Sequence, residues 1–223
     1  VLRFYLVLLI FLIIITSAMA DELLPDPAYD PLVSGKNQKI ILAGGSFWTV
    51  QGVFEHVKGV KRALSGYAGG DRTTARYEFV GSGRTKHAEA VEVIYDPNIV
   101  SLGKLLKIYF SVAHDPTQLD GQGVDVGRQF RSVVFIDDAK KKEVVRRYID
   151  QLNLLKIFQK PIVTKIESGY TFYPAEGYHQ DYSVIYANKP YVIDFILPKI
   201  KALKALYPEL YNSEPVQTPD LQM

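Results

Sequence analysis

Gly44-Gly45-Ser46-Phe47-Trp48 is the stretch of this chain best placed to do chemistry. It follows a β-branched apolar run and precedes Val50, Val53 and Phe54 at helical spacing. That spacing predicts a strand, a tight glycine turn and a helix start. At a helix start the first backbone N–H groups lack partners and the dipole favours negative charge, so an anion at residue 46 would be stabilised. The glycines let the backbone approach a ligand, and Phe47 and Trp48 offer an aromatic wall beside it. The same residues also read as a plain structural unit, with Ser46 capping the helix and the aromatics in the core.

Composition narrows the chemistry. None of the 223 residues is cysteine. This excludes a disulfide framework, a thiolate zinc site, an iron–sulfur cluster and a cysteine nucleophile. The four histidines, His56, His87, His114 and His179, include no i, i+4 pair, so the sequence supports no metal site. Twenty-six Lys+Arg stand against 24 Asp+Glu, a balance without the basic excess that nucleic-acid binding needs. Lys140-Lys141-Lys142 with Arg146 and Arg147, and Lys199, Lys201 and Lys204, read as solvated helix faces.

Alternating elements must position the turn. Strand-like runs fall at Gln38 to Ala43, Val60 to Tyr67, Ala90 to Tyr95, Ser132 to Ile136 and Ile162 to Glu167. A helix capped by Ser101 carries Leu102, Leu105, Leu106, Tyr109, Phe110 and Ala113 on one face. Asp138 caps a second helix running to about Asn153, and a last helix covers Leu197 to Leu206. The pattern predicts an α/β fold of the α+β sandwich kind, with one main mixed sheet flanked by helices and an irregular C-terminal region.

Residues 1–20 read as a secretory signal: Arg3, an apolar run from Phe4 to Ile15, then Ala18-Met19-Ala20 with cleavage before Asp21. The expectation is an exported protein, periplasmic or secreted; an uncleaved membrane anchor is the alternative. Residues 21–38, with three prolines, read as an extended arm. Residues 39–211 form a single domain, and 212–223 a flexible tail.

Five motifs in order carry a family resemblance. They are Gly45-Ser46-Phe47-Trp48, His87-Ala88-Glu89-Ala90-Val91, His114-Asp115-Pro116-Thr117, Asp125 to Ser132, and Phe172 to Gln180. The chain resembles the A-type peptide methionine sulfoxide reductases across nearly all of residues 39–211. In that family a cysteine follows the glycine and attacks the sulfoxide sulfur, ending as a sulfenic acid. The resemblance implies that Glu89 protonates the sulfoxide oxygen, that the Tyr77 hydroxyl holds it and that Asp125 organises the site. It also implies that Phe47 and Trp48 receive the methyl group, with Phe130 and His179 at the substrate. It implies no bound cofactor, a thioredoxin-like reductant, oxidised methionine as substrate, and a monomer.

The departures matter as much. The cysteine position is Ser46, Phe130 stands at a family tyrosine, and Arg128 replaces a small polar residue. A serine hydroxyl is barely ionised at neutral pH, and a helix terminus offers only about 1 kcal/mol toward closing that gap. Oxygen transfer to a serine oxygen would give a peroxy species, not a stable acid. The resemblance thus implies a reductase by lineage, or a non-catalytic relative that binds methionine sulfoxide. Acyl transfer by Ser46 fits poorly, because Trp48 stands where a G-x-S-x-G elbow needs its second glycine.

Overall fold

The computed structural model describes residues 24–218. The predicted leader lies outside the described residues. The strands are β1 (Gln38–Ala43), β2 (Val60–Ala68), β3 (Ala88–Tyr95), β4 (Gly121–Gln122), β5 (Asp125–Val126), β6 (Val133–Phe135), β7 (Lys165–Glu167) and β8 (Phe172–Pro174). Six of them form one sheet in the order β7-β6-β1-β3-β2-β8, antiparallel except for the parallel β6–β7 pair. Strands β4 and β5 make a separate hairpin. The helices are α1 (Phe47–Glu55), α2 (Tyr77–Val80), α3 (Leu102–Ile108), α4 (Ala139–Leu154), α5 (Tyr182–Ile185) and α6 (Leu197–Leu206). This is the expected mixed sheet with flanking helices.

Strand β1 is buried from Ile40 through Ala43, as a central strand covered on both faces must be. Its period of two splits the run between two cores. Ile40 and Leu42 join the larger one, with Phe54, Tyr109, Phe110 and Tyr148 from the helices. Ile41 and Ala43 enter a smaller one with Ala88, Ala90, Val133 and Phe135, against which Tyr170 and Phe172 pack.

Ser101 and Asp138 cap α3 and α4, each side chain accepting a backbone N–H of the first turn. The apolar spacing that runs to Ala113 does not continue as α-helix. Residues Tyr109–Ala113 form a wider π turn, in which the His114 N–H reaches back five residues to the Tyr109 carbonyl. Ser111 Oγ donates to the Lys107 carbonyl at 2.6 Å, competing with the helical ladder there. The strand read as Ala90 to Tyr95 starts at Ala88, which places Glu89 inside the sheet opposite Tyr67. Strands β4, β5 and β8 and helix α2 are too short to show a period, and the sequence reading lacks them.

Lys199 departs from its expected solvated face. It is half-buried, and Nζ donates to the Ala113 carbonyl at 2.8 Å, capping the end of the π turn. Burial holds its pKa below the usual lysine range.

The two ends of the described chain are docked, not loose. Leu24 is buried, and the Pro25 carbonyl accepts from the Tyr148 hydroxyl at 2.8 Å. Asp26 pairs with Lys104 at 2.7 Å and Lys107 at 2.8 Å. Asp30 accepts from the Gly103 N–H at 3.0 Å and from Ser101 Oγ at 2.5 Å, at the end of α3 whose N–H groups lack helical partners. In the tail, the Asn212 and Val216 N–H groups donate to the carbonyls of His56 and Glu55. Thr218 binds Asp181 through both its N–H, at 2.8 Å, and its hydroxyl, at 2.9 Å. Among the described residues, no helix is long and apolar enough to cross a membrane.

Asp30→Ala deletes two bonds at the α3 start, so urea unfolding should show a loss of about 1–2 kcal/mol. An unchanged midpoint would mean that the docked arm contributes nothing to stability.

Candidate active site

The glycine turn lies between two side chains. Gly45 has φ +82°, the left-handed region that favours glycine, and its N–H donates to the Phe130 carbonyl at 3.0 Å. A Cβ at Gly45 would meet the Gln122 side chain at 2.8 Å, and one at Gly44 would meet the His114 ring at 2.6 Å. His114 itself is buried and neutral, its pKa pushed down to about 3 by burial, with its ring bonded to the Tyr109 carbonyl and Ser132 Oγ. A side chain at either glycine would force His114 or Gln122 to shift.

Ser46 is the N-cap of α1, and its Oγ accepts from the Trp48 N–H at 3.3 Å. The next free amide, the Phe47 N–H, donates to Glu89 Oε2 at 3.0 Å. Glu89 is 3% exposed. Burial pushes its pKa up to about 8; nearby Asp125 adds to the rise and the Phe47 N–H opposes it. At neutral pH this carboxyl is mostly protonated and can donate a proton.

Ser46, Phe47, Trp48, Tyr77, Glu89, Asp125, Phe130 and Tyr191 line one small cavity of about 70 Å³. That is room for a group of roughly four or five heavy atoms. The structure thus gathers seven of the eight residues singled out from the sequence. His179 does not line the cavity. It stands behind the wall, 2% exposed, where Nδ1 accepts from the Trp48 indole N–H at 3.2 Å and the ring packs 4.3 Å from Tyr77. Accepting at Nδ1 puts the proton of the neutral ring on Nε2, and burial holds the pKa down to about 4.

Tyr191 is the residue that sequence reasoning missed. Its hydroxyl donates to Asp125 Oδ2 at 2.6 Å, and its ring meets Trp48 edge-on at 5.6 Å. It lies 66 positions from Asp125, so no local pattern links them. Glu176 lies in the fifth motif, but the sequence reading gives it no role. It accepts the Tyr77 N–H at 3.0 Å and the Tyr67 hydroxyl at 2.7 Å, fixing Tyr77 at the cavity mouth. Tyr182 stacks on Trp48 at 3.9 Å and 11°, holding the indole from its outer face. A larger cleft of about 1650 Å³ runs past His114, Gln122, Val126 and Lys199, but it holds neither Glu89 nor Tyr77. Among the described residues, no cluster of three His, Asp or Glu could hold a metal ion.

The peptide methionine sulfoxide reductase family model matches residues 38–208. The chain belongs to this family. It is similar to peptide methionine sulfoxide reductase MsrA 2 of Mesorhizobium japonicum, 54% identical over 180 residues, covering 81% of this chain and 92% of the relative. The MsrA 2 of Synechocystis sp. is 44% identical over 198 residues, covering 87% and 92%. Among solved structures, reduced Mxr1 from Saccharomyces cerevisiae superposes with a TM-score of 0.59 at 28% identity, covering 71% of this chain and 94% of that one. Methionine sulfoxide reductase A of Corynebacterium diphtheriae gives 0.56 at 30%, covering 74% and 82%. Within this peptide methionine sulfoxide reductase fold, a hydroxyl and not a thiol heads α1, and the acid beside it is present.

The buried acid makes stability depend on pH. Glu89 titrates near 4.5 when unfolded and near 8 when folded, so the unfolded chain releases its proton first. Stability is therefore full below about 4.5 and falls as pH rises toward 8. Glu89→Gln keeps an oxygen for the Phe47 N–H and removes the titration. Its unfolding free energy should gain on that of the parent chain by on the order of 3–5 kcal/mol between pH 5 and 8. A constant difference across that range in urea titrations would show that the carboxyl is ionised in the folded chain.

Proposed function

We propose that this chain binds methionine sulfoxide in the Ser46–Glu89 cavity and, with serine at residue 46, holds it without reducing it. The observation that carries the reading is the buried Glu89 carboxyl, anchored by the Phe47 N–H and enclosed beside an aromatic wall. A methyl group seats against Phe47 and Trp48. The sulfoxide oxygen, a strong acceptor, takes hydrogen bonds from the Glu89 carboxyl and the Tyr77 hydroxyl. Phe130 offers no hydroxyl, so one donor fewer faces that oxygen. Burial favours the protonated Glu89 carboxyl, and Asp125, held by Tyr191, adds to that.

Binding needs only these partners, whereas turnover needs an atom that can take the oxygen. A thiolate at residue 46 would accept it from sulfur, releasing the thioether and leaving a sulfenic acid that two external thiols reduce to water and a disulfide. The Ser46 oxygen would have to form an O–O bond instead, giving a peroxy species and not a stable acid. An exported or anchored location follows from the leader reading, and any reductant of a thiol-bearing version would be a thioredoxin-like protein facing the same compartment.

The test pairs the chain with its Ser46→Cys variant, each given a methionine-S-sulfoxide peptide and a small dithiol. Methionine formed is counted, and the fluorescence of Trp48, the single tryptophan, reports binding. We expect binding by both and turnover by the cysteine variant alone, with Tyr77→Phe weakening binding about threefold to tenfold. Turnover by the unaltered chain would overturn the non-catalytic reading. A flat fluorescence titration in both chains would remove the binding site itself.

A further inference from the structure

Among the described residues, two carboxyl groups are wholly shut off from solvent: Glu55 and Asp181, each 0% exposed. They meet where three segments converge, the end of α1, the start of α5 and the tail. Asp181 accepts twice from Thr218, its Oδ2 from the N–H at 2.8 Å and its Oδ1 from the hydroxyl at 2.9 Å. Glu55 Oε2 accepts from Ser183 Oγ at 3.3 Å, whereas Oε1 is buried without an N–H or O–H donor. Glu55 nevertheless makes a side-chain hydrogen bond with Asp181. Two carboxyl groups bond to each other only through a proton that one of them carries, and Oε1 is the oxygen left to carry it. Burial, and then the charge of Asp181, push the Glu55 carboxyl well above the usual carboxylate range.

The pair holds more than itself. Asp181 has φ +52°, in the left-handed region, and its N–H donates to Gln51 Oε1 at 3.2 Å. The chain turns there into α5, whose first residue, Tyr182, stacks on Trp48 at 3.9 Å. On the tail side, the Val216 N–H donates to the Glu55 carbonyl and the Asn212 N–H to the His56 carbonyl. We propose that one proton shared by Glu55 and Asp181 locks the tail and the start of α5 onto α1, which makes Glu55 a positioning residue for the aromatic wall. Loss of that proton sets two negative charges side by side in a buried place. The tail, held there by hydrogen bonds, then lifts and admits water. The other ionisable groups of these elements face elsewhere. His56 bonds the Asn212 carbonyl, Lys58 reaches the Glu209 carbonyl, Lys204 lies over the Tyr211 ring and Tyr186 packs on Tyr182, while Asp194 and Glu214 are exposed. The lock stands whether or not the cavity takes a sulfoxide.

The test follows hydrogen exchange at the Val216 and Thr218 amides in the full chain and in its Glu55→Gln variant. It runs from about pH 5 to about pH 9, above the ordinary glutamate value, with rates corrected for hydroxide catalysis. Strand β3 amides in the same samples report global opening, to which Glu89 also contributes. The glutamine side chain can donate to Asp181 and accept from Ser183, so the variant keeps the bond and drops the titration. An opening that exposes Glu55 releases one proton, so its equilibrium constant should rise by up to tenfold per pH unit in the parent chain. Tail protection should fall with that slope in the parent and stay level in Glu55→Gln, with the β3 amides better protected in both. Equal slopes in the two chains, or tail amides that follow β3 at every pH, would overturn the lock. The carbon-13 signal of the Glu55 carboxyl in the parent chain needs no variant. It should titrate well above the usual carboxylate range, and an ordinary glutamate titration would overturn the shared proton.

Discussion

The hydrogen bond from the Phe47 N–H to Glu89 Oε2 joins the three parts of the molecule that matter for the site. It ties the first free amide of α1 to the interior of β3, across the glycine turn that ends β1. Without it, the helix start would hold an unpaired donor and the sheet an uncompensated buried carboxyl, each costly in an apolar surround. The bond also fixes what the acid can do. One amide donor is too little to hold the group ionised against its burial, so Glu89 keeps its proton at neutral pH. A carboxyl with several donors, such as Asp115 with Thr117 and Gln118 about it, goes the other way and stays below the usual range.

The rest of the site holds that arrangement in place. Trp48 is fixed from three sides: His179 accepts its indole N–H, Tyr182 stacks on its face, and Tyr191 meets it edge-on. Tyr77 sits on a helix of four residues that could not stand alone, and Glu176 pins its backbone. Gly52 lets α1 approach closely, since a Cβ there would meet Ile196 at 2.9 Å and Ser183 at 3.2 Å. The wall is therefore rigid because segments distant in sequence converge on one buried helix.

The legible parts of this fold were those with long periods or strong caps. Strand β1, the caps Ser46, Ser101 and Asp138, and the span of α6 all follow from local pattern, because apolar spacing and side-chain oxygens act over a few residues. Tyr191 left no such trace, and Glu176 showed only as a motif position without a role. Their importance comes from tertiary contact, and a tyrosine beside Lys189-Pro190 looks like any helix start. His179 stood out in the sequence, yet its place behind Trp48 depends on which ring nitrogen meets the indole, a matter of packing. The docked arm and tail were hidden for a related reason. Proline-rich polar segments look loose until Lys104, Lys107 and Asp181 are seen opposite them.

Serine at the head of α1 changes more than the missing nucleophile. A thiolate there would be a negative charge beside Glu89, and like charges at close range raise the pKa of a carboxyl further. Thiolate and acid would then titrate as a pair, with each favouring a proton on the other. With Ser46 the hydroxyl is neutral, and Glu89 is left to burial, the Phe47 N–H and Asp125 alone. The proton it can offer a sulfoxide oxygen is thus set by the cavity rather than by the nucleophile. The same independence lets the donor side of the site persist when the attacking atom is lost: the Glu89 carboxyl, the Trp48 indole and the Tyr77 backbone are each held by bonds to the Phe47 N–H, His179 and Glu176.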